Sequence, residues 1–283
     1  MANILITGAN GQLGTELRNR SFSLLDDVFY TDVEELDITN FKAICAYIET
    51  HDIDTIINCA AYTAVDQAED DKEKAMKLNR DAVANLANAA VKLDCLLVHI
   101  STDYVFDGTS DHPYTEKDAT NQSVYGRTKL EGEQAIKKSG CLYIIIRTAW
   151  LYSGYGHNFV KTISRLASER DELNVVNDQW GTPTYAGDLA EAIISIMERD
   201  DLPELEGVYH FTNEGACTWY DFAKEIVAFT GANCKVNPVT TEEYPSKVKR
   251  PAYSILDKTK IKETFDLEIR DWREALKSCM ATF

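Results

Sequence analysis

No Lys/Arg-rich run occurs in the 283 residues, and acidic residues outnumber basic ones by 46 to 29. A formal net charge of −17 argues against a nucleic-acid partner, because counterion release needs a clustered basic surface. It also requires any anionic substrate to meet a locally basic pocket within a repulsive overall field. No apolar run approaches the length of a membrane span, so no membrane partner is expected. The N-terminus, Met1-Ala2-Asn3-Ile4-Leu5-Ile6, runs straight into an apolar segment without a basic leader and cleavage site, which predicts a cytoplasmic location. The cysteines, at 45, 59, 95, 141, 217, 234 and 279, form no CxxC pair and no other metal-ligand spacing. Their odd number resists complete disulfide pairing, and most sit in apolar stretches as buried thiols. No metal site is assigned. Long disorder and a repeat array are both at odds with 45% hydrophobic and 27% charged residues, so the chain should fold throughout.

What is present is an alternation of strands and helices. Residues 3–8 form a short apolar run ending in glycine, followed by a helix-forming segment at 11–20. A second strand is predicted at 28–32, then a helix with Thr39 as its N-cap, in which Phe41, Ile44, Cys45 and Ile48 fall at helical spacing. Strands follow at 55–60, 96–101 and 142–147, with one or two helices at 72–93 and another at 123–138. Strands apolar on both faces require helices on both sides of the sheet. Right-handed βαβ connections make this an α/β fold with a Rossmann-type doubly wound parallel sheet. Beyond Trp150 the pattern predicts a helix at 157–169, a strand at 173–177 and a helix at 187–199. A strand at 208–212, a helix beginning near Thr218, a proline-bearing stretch at 238–251 and a final helix from Asp271 complete the chain. Residues 1–152 are assigned to the Rossmann domain, with 182–200 returning to it. Residues 153–181 and 201–283 are assigned to a smaller mixed α/β substrate domain.

Three motifs carry chemistry. Gly8, Gly11 and Gly14 recur at three-residue spacing, with Asn10, Gln12 and Leu13 among them, between a predicted strand and a predicted helix. Small residues there let the backbone approach a pyrophosphate, as dinucleotide sites require. Asp32 ends the second strand about twenty residues on, where a carboxylate can accept hydrogen bonds from ribose hydroxyls. It would repel the 2′-phosphate of NADPH and so favours NADH. Arg18 and Arg20 keep dual use open, and Asp32 as a simple turn former is the competing reading. Asp37 and Ile38 are placed near the adenine. The second motif is Tyr125 and Lys129, whose spacing of four puts phenol and ammonium on one helix face. A tyrosine with a pKa of about 10 shares its proton near neutrality only with a positive charge at hand. The third is Ser101-Thr102-Asp103 at the carboxyl end of the fourth strand, where Thr102 could hydrogen-bond a substrate carbonyl.

With these elements in this order, the sequence resembles the extended short-chain dehydrogenase/reductase family. Ser-Thr-Asp-Tyr-Val-Phe-Asp-Gly at 101–108, Asn-Cys-Ala-Ala-Tyr-Thr-Ala-Val-Asp at 58–66, and the segments 147–152 and 177–184 are similar to its dTDP-4-dehydrorhamnose reductase branch. The resemblance implies hydride delivery from NADH or NADPH to the C4 ketone of dTDP-4-dehydro-L-rhamnose, giving dTDP-L-rhamnose. Tyr125 would donate the proton, Thr102 would polarise the carbonyl, and Lys129 would hold the nicotinamide ribose and tune Tyr125. Further cofactor contacts implied are Cys59, Ala60, Ala61, Tyr62, Asn79 and Ser101. The implied substrate contacts are Tyr104, Val105 and Trp150 for the sugar, with Asn158, Lys161, Gln179 and Arg250 for the nucleotide. Trp150 could equally be core, and Lys247, Lys249 and Arg250 could form the basic pocket or a solvated surface. Tyr104 stands where the related dehydratases carry a glutamate, which argues against elimination. The epimerase pattern Ser-Ser-x-x-Val-Tyr-Gly is also lacking. Mg²⁺ at a dimer contact is associated with the family, but no ligand cluster here is assignable to it; a homodimer stays open. Two alternatives remain: a non-catalytic NAD(P)-binding regulatory subunit resembling that of methionine adenosyltransferase, and a reductase of another nucleotide-linked keto sugar.

Overall fold

Alternation begins at once, with β1 (Asn3–Thr7), α1 (Gln12–Arg18), β2 (Asp27–Thr31), α2 (Phe41–His51) and β3 (Thr55–Asn58). The structure, a computed structural model, describes residues 3–20, 27–117, 119–120, 123–244 and 246–282. Met1 and Ala2 of the N-terminal run and Pro245 of the proline-bearing stretch lie outside them. Then come α3 (Val65–Ala68), α4 (Lys72–Met76), a π-helical turn (Lys77–Asp81), α5 (Ala82–Leu93), β4 (Leu96–Thr102), α6 (Val124–Ser139) and β5 (Tyr143–Thr148). The second half holds β6 (Leu151–Tyr152), α7 (Phe159–Glu169), β7 (Glu172–Val176), β8 (Trp180–Gly181), β9 (Thr184–Tyr185) and α8 (Ala186–Met197). It ends in β10 (Gly207–His210), β11 (Cys217–Thr218), α9 (Trp219–Thr230), β12 (Lys235–Val239), α10 (Thr259–Phe265) and α11 (Trp272–Met280).

Six parallel strands form the main sheet in the order β10-β5-β4-β3-β1-β2. Side chains alternate across it with a period of two. On one face Ile4, Ile6, Ile57, Val98 and Ile146 pack with Leu13 and Leu17 of α1, Leu189 and Ile193 of α8, and Ile261 and Phe265 of α10. On the other, Leu5, Ile56, Leu97 and Ile145 pack with Ile44 of α2, Leu86 of α5 and Ile136 of α6. Each such side chain contributes about 1.5–3 kcal/mol when fully buried, so burial of apolar surface is the main force that holds both layers to the sheet. A second lobe is built on α7, α9, α11 and the parallel pair β7–β12, around the buried Tyr152, Phe222 and Trp272.

Four features depart from the sequence reading. Gly207–His210, expected in the substrate unit with everything after 201, is the sixth strand of the main sheet, with Gly207 opposite Ile144 and His210 opposite Arg147. Four residues carry too little pattern to reveal their partner strand. Helix α2 is capped by Asn40, whose side chain accepts the Ala43 N–H at 3.2 Å, and not by Thr39, whose own N–H goes to Asp37 Oδ1 at 2.9 Å. Strand β12 was concealed by Pro238, which is tolerated because β12 pairs on one side only, with β7. Helix α10 has seven residues, two turns at most, and presents only Ile261 and Phe265 as buried residues.

Candidate active site

The carboxyl ends of β1, β3, β4 and β5 open onto a cleft of about 900 Å³, where ligands of doubly wound sheets are expected. Its glycines have distinct tasks. Gly8 adopts φ +66°, and a Cβ there would stand 2.6 Å from the Ala60 nitrogen. A Cβ on Gly14 would come within 2.5 Å of the Ala9 Cα, so this residue lets helix and strand press together. On Gly11 it would meet only the Gly8 oxygen at 3.2 Å, leaving its outer side open to the cleft. Tight turn, close approach and close packing are the three roles a dinucleotide turn needs, and the residues present fit such a group. Gln12 and Leu13 border the cleft beside them.

Asp32 borders the cleft and also ties down the turn: Oδ2 accepts the Asn10 N–H at 3.1 Å and Oδ1 the Val33 N–H at 2.8 Å. Asn10 thus serves the turn through its backbone N–H and does not itself border the cleft. Asp37 and Ile38 line the same end, with hydrogen bonds from Thr39 holding the Asp37 carboxyl below the usual range. Arg18 lies over the Tyr30 ring and Arg20 is paired with Glu16, and neither borders the cleft. Lys74, which sequence reasoning missed, does. Cys59, Ala60 and Ala61 form the middle wall, but Tyr62 and Asn79 do not. Asn79 is fully buried one layer behind, taking the Tyr62 N–H at 2.8 Å and donating to the Tyr62 carbonyl at 3.0 Å and the Thr128 hydroxyl at 3.1 Å.

At the other end, Ser101, Thr102, Tyr125 and Lys129 converge. The Ser123 hydroxyl caps α6 by accepting the Gly126 N–H at 3.0 Å. A side chain at Gly126 would collide with the Tyr104 carbonyl, so glycine lets the first turn of α6 press on the segment after β4. That contact sets Tyr125 beside Thr102. The Thr102 hydroxyl donates to Asp103 Oδ1 at 3.0 Å and accepts the Tyr104 N–H at 3.2 Å. Burial pushes the Tyr125 phenol above its ordinary range, with Thr102 acting against the rise and Asp103 and Tyr104 adding to it. The Tyr104 ring meets Tyr125 edge-on, with centroids 5.4 Å apart. Lys129 Nζ donates to the Ile100 carbonyl at 2.7 Å and lies 3.3 Å from His99 Nε2. Burial lowers Lys129 to about 8, with Glu133 and Cys59 acting against the fall. The expected lowering of Tyr125 by Lys129 is therefore not what this arrangement shows: the lysine is turned to β4, and desolvation governs the phenol.

Asp103 was also missed, although its adjacency to Thr102 was a signal. It is buried, its Oδ2 has no hydrogen-bond partner, and burial raises it to about 7 against bonds from Thr102 and Ser254. Tyr104 and Trp150 line the cleft. Trp150 adopts φ +49° and stacks on Trp219 at 3.5 Å, so it is both cleft wall and lobe packing. Val105 instead lies fully buried in a cluster with Phe106, Tyr114 and Leu256. Asn158 caps α7 through the Lys161 N–H at 3.0 Å and donates to Gln12 Oε1 at 2.9 Å, reaching the glycine turn from the second lobe. The Lys161 ammonium goes to the Gly154 carbonyl at 3.2 Å and the Gln179 amide to the Thr241 hydroxyl at 3.0 Å; neither residue borders this cleft. Lys249 and Arg250 line an adjoining cleft of about 250 Å³, with Arg250 donating to the Tyr104 hydroxyl at 3.0 Å and pairing with Asp66. Lys247 pairs with Asp70 outside it. Among the described residues, no group of three or more His, Cys, Asp or Glu converges on a point that could hold a metal, and no helix is long and apolar enough to cross a membrane.

The whole chain, residues 1–283, matches the family model described as the RmlD substrate binding domain. The dTDP-4-dehydrorhamnose reductase of Aggregatibacter actinomycetemcomitans is 44% identical over 99% of both chains. Among solved structures, a dTDP-4-dehydrorhamnose reductase from Clostridium acetobutylicum is 47% identical, with a TM-score of 0.93 over 99% of both chains. That of Bacillus anthracis, solved in complex with NADP, is 39% identical, with a TM-score of 0.95 over 100% of both chains. With fold, cleft and full-length similarity in agreement, the chain belongs to the dTDP-4-dehydrorhamnose reductase family.

Proposed function

We propose that this protein reduces the C4 ketone of dTDP-4-dehydro-L-rhamnose to give dTDP-L-rhamnose, using NADH or NADPH. The observation that carries the reading is the convergence of buried Thr102, Tyr125 and Lys129 at one end of a cleft whose other end is the glycine turn. A bound dihydronicotinamide would supply the hydride for the carbonyl carbon. Tyr125 donates its phenolic proton to the carbonyl oxygen, and a phenol whose pKa is raised by burial is in the protonated form that reduction needs. The Thr102 hydroxyl must turn from Asp103 to donate to that oxygen. Charged Lys129 then stabilises the phenolate left behind. Its lowered value gives the sign of the pH dependence: kcat/KM is full below about 8 and falls as the pH rises through it. Tyr104 in place of a carboxylate argues against elimination. The paired oxygens of Asp32 keep lone pairs for ribose hydroxyls, which favours acceptance of NADH, while the NADP complex of the Bacillus anthracis relative favours tolerance of the 2′-phosphate. A cytoplasmic location suits a reaction that consumes reduced nicotinamide and a nucleotide sugar. The intact triad favours an enzyme over a regulatory subunit. The test is to mix the protein with dTDP-4-dehydrorhamnose and either cofactor and follow the absorbance of the reduced nicotinamide. Substrate-dependent loss is expected; none with either cofactor would overturn the reading.

A further inference from the structure

Behind Lys129 lies a row of buried polar groups with no part in the steps above. The Thr7 hydroxyl donates to Asn58 Oδ1 at 2.7 Å, Asn58 Nδ2 lies 2.9 Å from His99 Nδ1, and His99 Nε2 lies 3.3 Å from Lys129 Nζ. All four residues are at most 2% exposed. Thr7, Asn58 and His99 stand opposite one another on the adjacent strands β1, β3 and β4, so sheet register fixes the row.

The backbone fixes its direction. The Ala60 N–H points at Asn58 Oδ1 from 3.2 Å, so that atom is the amide oxygen. Nδ2 is then the nitrogen and donates, and His99 Nδ1 must accept. A neutral imidazole carries one N–H, which therefore sits on Nε2 and faces Lys129. Burial holds His99 well below its ordinary value, so the ring is neutral. An ammonium has three donors and no acceptor, and would set N–H against N–H across 3.3 Å. An amine has a lone pair that accepts.

We infer that His99 is a positioning residue that disfavours the charged form of Lys129 in the cofactor-free protein, through a hydrogen-bond row that begins at Thr7. Charging Lys129 takes one proton from solvent. It breaks the contact with His99 or reverses the row, and reversal is opposed by the Ala60 N–H. The other groups facing Lys129 do not undo this. Glu133 on the same helix is already engaged by Arg147, at 2.8 and 2.7 Å, and by Ser101 at 2.6 Å. The Cys59 thiol at the end of β3 is pushed up to about 12 by burial and stays neutral, and the Ile100 carbonyl accepts from amine and ammonium alike. Oxygen acceptors of a bound ribose would then supply what the ammonium lacks, coupling cofactor entry to the charge that Tyr125 needs.

The inference rests on the reductase reading for its consequence, but its core is testable without activity. In protein with nitrogen-15-labelled histidine, long-range proton–nitrogen correlation reports the tautomer of each ring, and the signal lost in His99→Gln identifies His99. A neutral ring protonated on Nε2 at neutral pH is expected; an Nδ1–H tautomer or an imidazolium overturns the inference. His99→Gln places an amide oxygen within reach of Lys129, so the fall in kcat/KM should move up by about one pH unit. A folded, active His99→Gln whose fall stays in place overturns it. Should the variant not fold, the tautomer in the unsubstituted protein decides. Absence of any reductase activity would remove the proposed function and leave the tautomer result standing.

Discussion

The two ends of the cleft are built from different materials. At the glycine turn the working parts are backbone and space: Gly8 and Gly14 let main chains touch, Gly11 leaves room, and Asp32 spends its oxygens on N–H groups of the turn. At the reactive end the working parts are side chains taken out of water, with Tyr125 raised, Lys129 lowered to about 8 and Asp103 raised to about 7, each mainly by burial. A site made of shape is damaged by adding atoms. A site made of desolvation is damaged by changing a proton or a partner.

The comparison is broken most readily at Tyr125. Tyr125→Phe should lower kcat by about 10²–10⁴-fold while cofactor binding, followed by fluorescence titration, stays near its original strength. A parallel collapse of binding would mean that the two ends are not separable. Next comes the buried pair that supports the reactive end. Arg147 and Glu133 are both fully buried and doubly bonded, so Arg147→Met leaves the interior carboxylate with only the Ser101 hydroxyl at 2.6 Å and Lys137 at 3.8 Å as partners. A loss of about 3–5 kcal/mol is expected in urea unfolding, and a loss within error would show that water reaches Glu133. At the shape end, Gly14→Ala forces a methyl against Ala9. Stability should fall by about 1–3 kcal/mol and cofactor affinity with it, whereas kcat at saturating cofactor should persist. The smallest effect belongs to Asp32→Ala. The ratio of kcat/KM for NADPH over NADH should rise by less than about tenfold, since one hydrogen-bonding carboxylate is lost and other residues keep the turn. An unchanged ratio would reduce Asp32 to a turn former.

The same contrast explains what was legible in the sequence. Features that repeat along the chain announce themselves by spacing: the glycine repeat, the two-faced apolar strands and the Tyr125/Lys129 interval are all visible as sequence patterns. Features made by burial do not, because desolvation is a property of the assembled sheet. His99 is an ordinary letter in an apolar run until β3 sets Asn58 across from it. Asp103 lies next to a singled-out threonine, yet only the fold shows that its buried Oδ2 lacks a partner. Asn79 was placed against the cofactor, but the π-helical turn directs its amide to the backbone of Tyr62 instead.

The late arrival of β10 bears on how such a protein can be taken apart. Cutting the chain near 200 would remove more than the second lobe. It would strip β5 of one neighbour and lay bare the backbone of Tyr143–Thr148, the strand whose last residue borders the cleft. The helix that packs Ile261 and Phe265 onto the same layer would go as well. Lobe and sheet are thus interlaced rather than joined end to end. New specificities in this architecture would have to come from loops within the lobe, since the lobe cannot be exchanged as a cassette without unravelling the sheet that carries the chemistry.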